Sequence, residues 1–323
     1  MELPPLLRQN IDRALDGIAL RDLAAAAATL SERYREERHD GRLHVANRRD
    51  ALAYVAVRMP ATYAAVRASF DAIAEARPDF APKTMLDIGA GPATALWAAA
   101  DCWPDLADAL LVEASPTFRT CGEELAAEAA LPHMTWRIAD VAKAIDCVPR
   151  DLVTLAYVLN ELTPDVRQVA LERLWRLTTD TLVIVEPGTP AGWQRILTAR
   201  RQLIASGAHV IAPCPHAHEC PLQPPDWCHF AKRVARSRLH RQAKGADVPW
   251  EDEKFSYVAL SRKPAAAAGA RVIARPRKAS GRVTLKLCRP DGSAGDQLFS
   301  RRDGDLFKQA WRSDWGSSFD TNP

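Results

Sequence analysis

Short apolar segments alternate with helical ones from Thr84 to about residue 206, and this alternation constrains the fold more than any other feature. The apolar segments are TMLDI, ALLVE, MTWRI, DLVTLAY and TLVIVE, and the helical stretches fall near 93–101, 116–130, 164–177 and 190–206. Pro92, Pro116 and Pro164 each fall where a helix would begin, a position at which a missing amide proton is tolerated. Short buried strands that alternate with helices predict an α/β fold with a doubly wound parallel sheet.

Four further regions surround this core, which occupies residues 81–206. Apolar residues at helical spacing, among them Val55, Met59 and Phe70, predict an N-terminal helical region at 1–80. A proline-rich segment with little periodicity predicts a Cys-rich metal-binding insertion at 207–250. We expect the final core strand and a basic β-region at 251–312, followed by a flexible tail at 313–323.

Composition and cysteine usage set the broad class. The chain has 323 residues, 47% of them hydrophobic and 26% charged, which is ordinary for a globular protein. It contains no apolar run of about 18 residues, so we expect no membrane span. We also expect a monomer. The start, MELPPLLRQN, lacks the features of a signal peptide, which predicts a cytoplasmic location where thiols stay reduced. Seven cysteines in such a protein suit metal binding better than disulfides.

A glycine turn follows the first predicted strand, in the run LDIGAGPAT. Gly89 and Gly91 permit the positive φ and the close backbone approach that a bound ligand requires. Thr94 stands where a dinucleotide fold usually has a third glycine. Pro92 also removes one amide from the helix N-terminus, which weakens a pyrophosphate cradle. The turn therefore predicts a cofactor other than NAD.

Acidic residues end the second and third predicted strands. Glu113 stands where an acid binds ribose hydroxyls, and Asp140 where an acid accepts from an adenine amino group. A glycine turn followed by these two acids resembles the class I S-adenosylmethionine-dependent methyltransferases. The resemblance implies that Asp87 holds the methionine end of S-adenosyl-L-methionine and that Gly89 and Gly91 line the cofactor. The alternative is a Rossmann-like sheet whose strand-end acids are solvated.

The segment after the fourth strand supplies the catalytic candidates. Methyl transfer needs alignment of nucleophile, carbon and sulfur, because the sulfonium is already activated. Asn160 is predicted to orient an amino or hydroxyl group, and Glu161 to accept its proton. The alternative is that Asn160 caps the following turn and Glu161 is a surface residue.

The second candidate site is a set of four cysteines, Cys214, Cys220, Cys228 and Cys288. Thiolates are soft ligands, and four of them can hold a zinc ion or an iron–sulfur cluster. Their irregular spacing and two Cys-Pro pairs favour a [4Fe-4S] cluster over zinc. The alternative is a mixed Zn²⁺ site completed by nearby histidines, His216, His218 and His229. The other three cysteines are expected to pack as small hydrophobic residues; they are Cys102, Cys121 and Cys147.

Two basic runs without any acidic residue follow the third cysteine and surround the fourth. The first run holds Lys232, Arg233, Arg236, Arg238, Arg241 and Lys244. The second run holds Arg271, Arg275, Arg277, Lys278, Arg282, Lys286 and Arg289. Such runs favour a phosphate-binding surface and predict contact with RNA, with Trp227 and His229 stacking on exposed bases. The alternative is a solvated face.

Longer motifs carry a second resemblance. They are RMPATYAAV at 58–66, LDIGAGPAT at 86–94, LNEL at 159–162, VEPGTP at 185–190, and CPHxxxCPL with WCHF. Over about residues 50–290 the chain resembles the ribosomal small-subunit-associated methyltransferase-like proteins, a bacterial and mitochondrial family whose members assist small-subunit assembly. The resemblance implies an iron–sulfur cluster on the four cysteines and S-adenosylmethionine at Asp87, Gly89, Gly91, Glu113 and Asp140. Two functions are predicted, an rRNA methyltransferase and a non-catalytic assembly factor that binds rRNA. The two basic runs place both ahead of a small-molecule methyltransferase.

Overall fold

The structure is a computed structural model that describes residues 1–35, 45–127, 129–130, 132–143, 145–265 and 269–320. It begins with four helices, α1 (Pro5–Ala14), α2 (Leu20–Arg35), α3 (Arg48–Val57) and α4 (Met59–Ala76). The side chain of Asn47 starts α3 by accepting a hydrogen bond from the Asp50 amide at 3.1 Å. Pro60 lies in the first turn of α4, as predicted. Tyr63 and Phe70 on α4 are buried, so this helix packs into the main core.

An eight-stranded sheet forms the centre of the molecule. Its strands are β1 (Thr84–Ile88), β2 (Asp108–Glu113), β3 (His133–Ile138), β4 (Arg150–Ala156), β5 (Thr178–Pro187), β6 (His209–Ala212), β7 (Phe230–Ala235) and β8 (Trp250–Ser261). Their order is β3-β2-β1-β4-β5-β8-β6, and β7 pairs with the first half of β8. Strands β1 to β5 are parallel, whereas β8 is antiparallel to β5 and to β6. The predicted parallel sheet is confirmed for β1 to β5, and β8 makes the whole sheet mixed.

Helices cover both faces of this sheet. They include α5 (Thr94–Cys102), α6 (Pro116–Ala126), α7 (Pro164–Arg176) and α8 (Pro190–Ala205). Pro116 and Pro164 open their helices as predicted, whereas α5 starts only at Thr94. Side chains alternate along β1, so Met85 joins the core beneath α4 and α5, and Leu86 the core beneath α7 and α8. This arrangement is a class I methyltransferase-like α/β fold.

A smaller antiparallel sheet follows β8. It contains β9 (Ala270–Val272), β10 (Arg277–Ala279), β11 (Arg282–Cys288), β12 (Ala294–Ser300) and β13 (Ser318–Phe319), with α10 (Gly304–Arg312) against one face. Its core includes Leu285, Leu287 and Phe299. We call residues 270–320 the C-terminal β-unit.

Two predicted regions differ from the structure. The segment 207–250 supplies β6 and β7 to the central sheet, together with α9 (Arg238–Lys244), so it does not stand apart from the core. Residues 313–319, predicted to be part of a flexible tail, end in β13. Phe319 is fully buried there, with its ring centroid 5.0 Å from that of Phe299. Over the described ranges, no helix has the length and apolar character needed to cross a bilayer.

Candidate functional site

Two glycines with positive φ shape the turn between β1 and α5. Gly89 has a φ of 66° and Gly91 a φ of 54°. A Cβ atom at Gly89 would lie 2.3 Å from Cγ2 of Val158, so glycine is required there. A Cβ atom at Gly91 would meet no atom within 4 Å. The backbone at Gly91 therefore borders open space at the carboxyl ends of the strands, where open α/β sheets bind ligands.

Glu113 ends β2 beside this turn and is 8% exposed. One carboxylate oxygen accepts a hydrogen bond from the Gly91 amide and the other from the Ser115 amide, both at 2.8 Å. Burial raises the pKa of Glu113 despite these bonds. Each oxygen keeps a second lone pair, so the carboxylate can also accept from a ligand hydroxyl.

Asp87 lies in β1 and is almost fully buried. Its Oδ1 accepts from Oγ1 of Thr154 at 2.6 Å, while Oδ2 has no hydrogen-bond partner in the described part of the chain. Burial raises the pKa of Asp87 to about 7, and the nearby Glu113 carboxylate adds to the shift. A buried acceptor without a partner is costly, so this oxygen is suited to receive a donor from a ligand.

Asn160 and Glu161 belong to a short 3₁₀ helix after β4. Asn160 is buried, and its Oδ1 has no partner among the residues described. Its side chain caps no helix, because α7 begins without a side-chain cap, so the capping alternative is wrong. Glu161 is exposed, as the surface-residue alternative predicts. Desolvation by the surrounding protein raises the pKa of its carboxyl to about 7, and the Glu113 and Glu186 carboxylates add to the shift.

Asp140 lies two residues beyond β3 and is exposed. Its Oδ1 accepts from the Ala142 amide at 2.8 Å, which shapes the loop that contains it. Because β3 neighbours β2, Asp140 lies at the same edge of the sheet as Glu113. Its role toward an adenine ring stays a prediction.

Sequence reasoning missed a hydrogen-bonded cluster at the end of β4. Tyr157 has a φ of 60°, which is rare for a bulky residue, and its hydroxyl donates to Oε1 of Glu253 at 3.0 Å. The Arg58 guanidinium donates to the same carboxylate at 3.3 and 3.5 Å. Arg58 belongs to the RMPATY motif, but its partner lies 195 residues away on β8. The cluster holds Tyr157, three residues before Asn160.

The four predicted ligand cysteines are neighbours in the structure. Cys220, Cys228 and Cys288 pack around one small apolar cluster. Burial raises the pKa of Cys228 well above its ordinary value, and the thiols of Cys214, Cys220 and Cys288 raise it further. Elsewhere, Cys121 is buried in the main core, and Cys102 is half-buried beside it. The structure therefore brings together the four cysteines that the sequence singled out.

The three histidines proposed as alternative zinc ligands lie in different surroundings. Nε2 of His216 lies 3.4 Å from Sγ of Cys288, whereas His218 stacks on His216. His229 stacks on Trp227, with centroids 5.0 Å apart, so these two rings cover each other instead of standing open to bases. Within the described ranges, no three or more His, Cys, Asp or Glu side chains are arranged to hold a metal ion. The expected metal-binding insertion is thus not supported as a formed site.

Two contacts hold the cysteine loop onto the core. Arg200 of α8 is 5% exposed and donates to the carbonyl oxygens of His216 and His218, both at 2.8 Å. The indole N–H of Trp227 donates to the carbonyl oxygen of Gly188 at 3.1 Å. Gly188 follows β5 at the carboxyl edge of the sheet, so the residue before Cys228 is tied to the edge that also bears the glycine turn.

Acids on the adjacent strand neutralise much of the first basic run. Arg233 on β7 forms an ion pair at 2.9 Å with Asp252, which lies directly opposite on β8. Arg236 and Lys244 both approach Glu251 at 2.9 Å. The expectation of an open phosphate-binding run is therefore wrong for these three cations.

Several cations of the second basic run also form ion pairs or hydrogen bonds within the protein. Arg271 is buried and donates to the carbonyl oxygen of Gly316 at 2.9 Å. Arg277 pairs with Asp296 at 2.7 Å, and Lys286 forms an ion pair with Asp226. The second run is thus not a continuous cationic surface either.

Methyltransferases are among the solved structures whose folds are similar to that of this chain. Magnesium protoporphyrin IX methyltransferase from Synechocystis PCC 6803, with bound SAM, has 13% sequence identity and a TM-score of 0.43, covering 76% of this chain and 100% of that chain. Ribosomal protein L11 methylase from Lactobacillus delbrueckii subsp. bulgaricus has 14% identity and a TM-score of 0.38, covering 62% and 78%. These likenesses concern the fold alone.

Similarity of sequence is more specific than the similarity of fold, because it identifies the family of the chain. The chain is 32% identical over 292 residues to the Homo sapiens "Ribosome assembly protein METTL17, mitochondrial", covering 82% of this chain and 61% of that protein. It is 22% identical over 329 residues to "Rsm22-cox11 tandem protein 2, mitochondrial" of Schizosaccharomyces pombe, covering 83% and 43%. The chain therefore spans less than two thirds of the length of these relatives. The family described as "Mitochondrial small ribosomal subunit Rsm22" matches residues 48–320, and the chain belongs to this family.

Proposed function

We propose that this chain binds S-adenosylmethionine at the carboxyl ends of β1, β2 and β4 and methylates the RNA of the small ribosomal subunit. A second candidate is a non-catalytic assembly factor that binds the same RNA. The names of the relatives favour a ribosomal role, since they refer to the small subunit and to ribosome assembly.

One observation carries the cofactor proposal: carboxylates gather beside the open backbone of the glycine turn. The Glu113 carboxylate contributes to the raised pKa values of both Asp87 and Glu161. Neither Asp87 nor Glu113 forms an ion pair with any described residue; their partners are a hydroxyl and backbone amides. Negative potential beside the open backbone at Gly91 suits a ligand that carries ammonium and sulfonium groups. The two phosphates of NAD would be repelled there.

Each site residue has its own role in the proposed reaction, which its surroundings suggest. Asp87 holds the ammonium end, Glu113 accepts from the ribose hydroxyls, and Asp140 accepts from the adenine amino group. The cofactor supplies a methyl group already activated on a sulfonium sulfur. Asn160, with its buried Oδ1, orients the amino or hydroxyl group of the RNA. Glu161 accepts the proton, since a base with a pKa of about 7 is well matched to neutral pH.

For the four cysteines we propose a [4Fe-4S] cluster, with zinc as the alternative. The thiols are soft donors, and Cys220, Cys228 and Cys288 pack in one apolar cluster, where Cys288 is buried and the other two are half-buried. The irregular spacing of the four cysteines and their two Cys-Pro pairs favour the iron–sulfur cluster over zinc.

Affinity for S-adenosylmethionine is expected to rise with pH between about 6 and 8. The pKa values of Asp87 and Glu161 are raised to about 7, so both carboxyls are mostly protonated at the lower end and ionised at the upper end. Only the ionised forms attract a cationic ligand, so each group changes affinity by up to about tenfold across this range. Calorimetry in buffers of different ionisation enthalpy measures the affinity and the accompanying proton release.

Asp87→Asn serves as the control for this pH dependence. It keeps the side-chain shape but cannot ionise, so it should bind more weakly at the higher pH and show a flatter profile. An affinity that is independent of pH, or that falls as pH rises, contradicts the proposed role of the carboxylates.

Methyl transfer itself is tested with methyl-labelled S-adenosylmethionine and with small ribosomal subunits from cells that lack the gene for this protein. We expect label in the RNA, and Glu161→Gln should slow transfer by about 100-fold or more. Glu172→Gln, on the exposed face of α7, is the matched control and should leave the rate unchanged. Binding of both cofactor and RNA without transfer would overturn the enzymatic proposal in favour of the assembly factor.

A further inference from the structure

The C-terminal β-unit concentrates the positive charge of the chain. Residues 270–320 contain 11 Lys and Arg residues against six Asp and no Glu, whereas the whole chain has a formal net charge of only +3. The unit is thus more positive than the molecule as a whole, and the remainder is net negative. A charge asymmetry of this kind is typical of a surface that meets a polyanion.

Three cations with no acidic partner lie around the β10–β11 hairpin. Lys278 and Arg282 flank its turn and are exposed. Nε of Arg301 lies 3.4 Å from the position of a Cβ atom on Gly281, so its side chain runs along the same turn. Across the described residues, none of these three cations forms an ion pair.

The neighbouring acids are occupied elsewhere. Asp303 accepts hydrogen bonds from the amide and the hydroxyl of Ser300, at 2.6 and 2.9 Å. Asp305 pairs with Lys308 at 2.8 Å. The acids closest in sequence to Arg301 therefore do not neutralise it.

An exposed tryptophan stands beside these cations. Trp311 on α10 is 40% exposed, and Nζ of Lys278 lies 5.8 Å from its ring centroid. The ring of Phe307, 5.6 Å away and one turn earlier, supports it from the helix. A large, partly exposed aromatic ring beside a cation provides a flat surface on which a base can stack.

We propose that the β10–β11 hairpin and Trp311 bind single-stranded RNA. Lys278, Arg282 and Arg301 contact phosphates, and Trp311 stacks on a base. The geometry favours RNA over an acidic peptide, because a peptide would use the charges but not the exposed ring face. The choice of RNA rests on the proposed function, but the binding does not depend on the cofactor cleft.

The test uses a fluorescein-labelled single-stranded RNA of mixed sequence, titrated at several salt concentrations and followed by anisotropy. Lys278→Gln, Arg282→Gln and Arg301→Gln combined should weaken binding by at least about tenfold and reduce the salt slope by about 2. Trp311→Ala should weaken binding by about fivefold or more, whereas Trp311→Phe, which keeps an aromatic face, should lose less. The matched control replaces two exposed cations that lie outside the unit and outside both basic runs, Arg49→Gln with Arg201→Gln.

An unchanged affinity and salt slope in the triple variant would overturn the proposal, as would an equal loss in the control pair. Thermal melts verify that each variant is folded. The same variants are titrated with S-adenosylhomocysteine, whose affinity should not change, since the hairpin belongs to the second sheet. If wild-type protein fails to bind that ligand but the RNA results hold, the cofactor proposal fails and this one stands.

Discussion

Replacing Gly91 with valine is expected to reduce affinity for S-adenosylhomocysteine by more than about 100-fold, a loss of about 3 kcal/mol. A Cβ atom at this position meets no protein atom within 4 Å, so the valine side chain would occupy the room proposed for the ligand. The Gly91 amide also holds the Glu113 carboxylate at 2.8 Å, and a shift of the turn would move that acceptor. Calorimetric titration of both proteins measures the effect.

Gly245→Val is the matched control for backbone strain. Gly245 has a φ of 57°, close to the 54° of Gly91, and its Cβ position is also free of atoms within 4 Å. It follows α9 rather than β1. Both variants incur the left-handed backbone cost of about 1–2 kcal/mol, so their stability should fall alike. Equal ligand affinity in the two variants would contradict the placement of the cofactor at Gly91.

Cys228→Ser is expected to abolish the brown colour of anaerobically purified protein and to lower its melting temperature by about 10 °C, a loss of several kcal/mol. Cys228 adjoins Trp227, which is bonded to Gly188, and it packs with Cys220 and Cys288. Loss of the ligand should therefore also loosen the loop that precedes β7. Absorbance near 400 nm, iron and sulfide content, and limited proteolysis of the loop measure these effects.

Cys102→Ser is the control, because Cys102 ends α5 and lies outside the cysteine cluster. It should keep the absorbance and the iron. Stoichiometric zinc without iron or sulfide in the wild-type protein would overturn the cluster and favour the site completed by His216. Equal bleaching by both substitutions would show that the colour reports general unfolding rather than ligation.

Local patterns predicted the centre of the fold well. The segment TMLDI coincides with β1, because a short, mostly apolar run that ends at a glycine turn is typical of a buried strand. Pro116 and Pro164 fixed the starts of α6 and α7 for the same local reason. The acids at the ends of β1 and β2 were also identifiable, since parallel strands end at one edge.

Local patterns do not predict which strands pair when they are distant in the sequence. The first basic run contains no acid, yet β8 brings Glu251 and Asp252 opposite β7. The cluster in WEDEKF was visible in the sequence, but its register with β7 was not. The sequence predicts a flexible tail that includes Phe319, because nothing local shows that this residue pairs with β9. Each correction concerns a contact whose partner is remote in sequence or in a different element.

Titration of the wild-type protein with S-adenosylmethionine and, separately, with NADH tests the central claim most directly. The account predicts one site for the adenosyl ligand, with heat that depends on the buffer because Asp87 and Glu161 lose protons on binding. It predicts no binding of NADH, whose phosphates would meet the carboxylates beside Gly91. Saturable binding of NADH, with none of S-adenosylmethionine, would contradict the account.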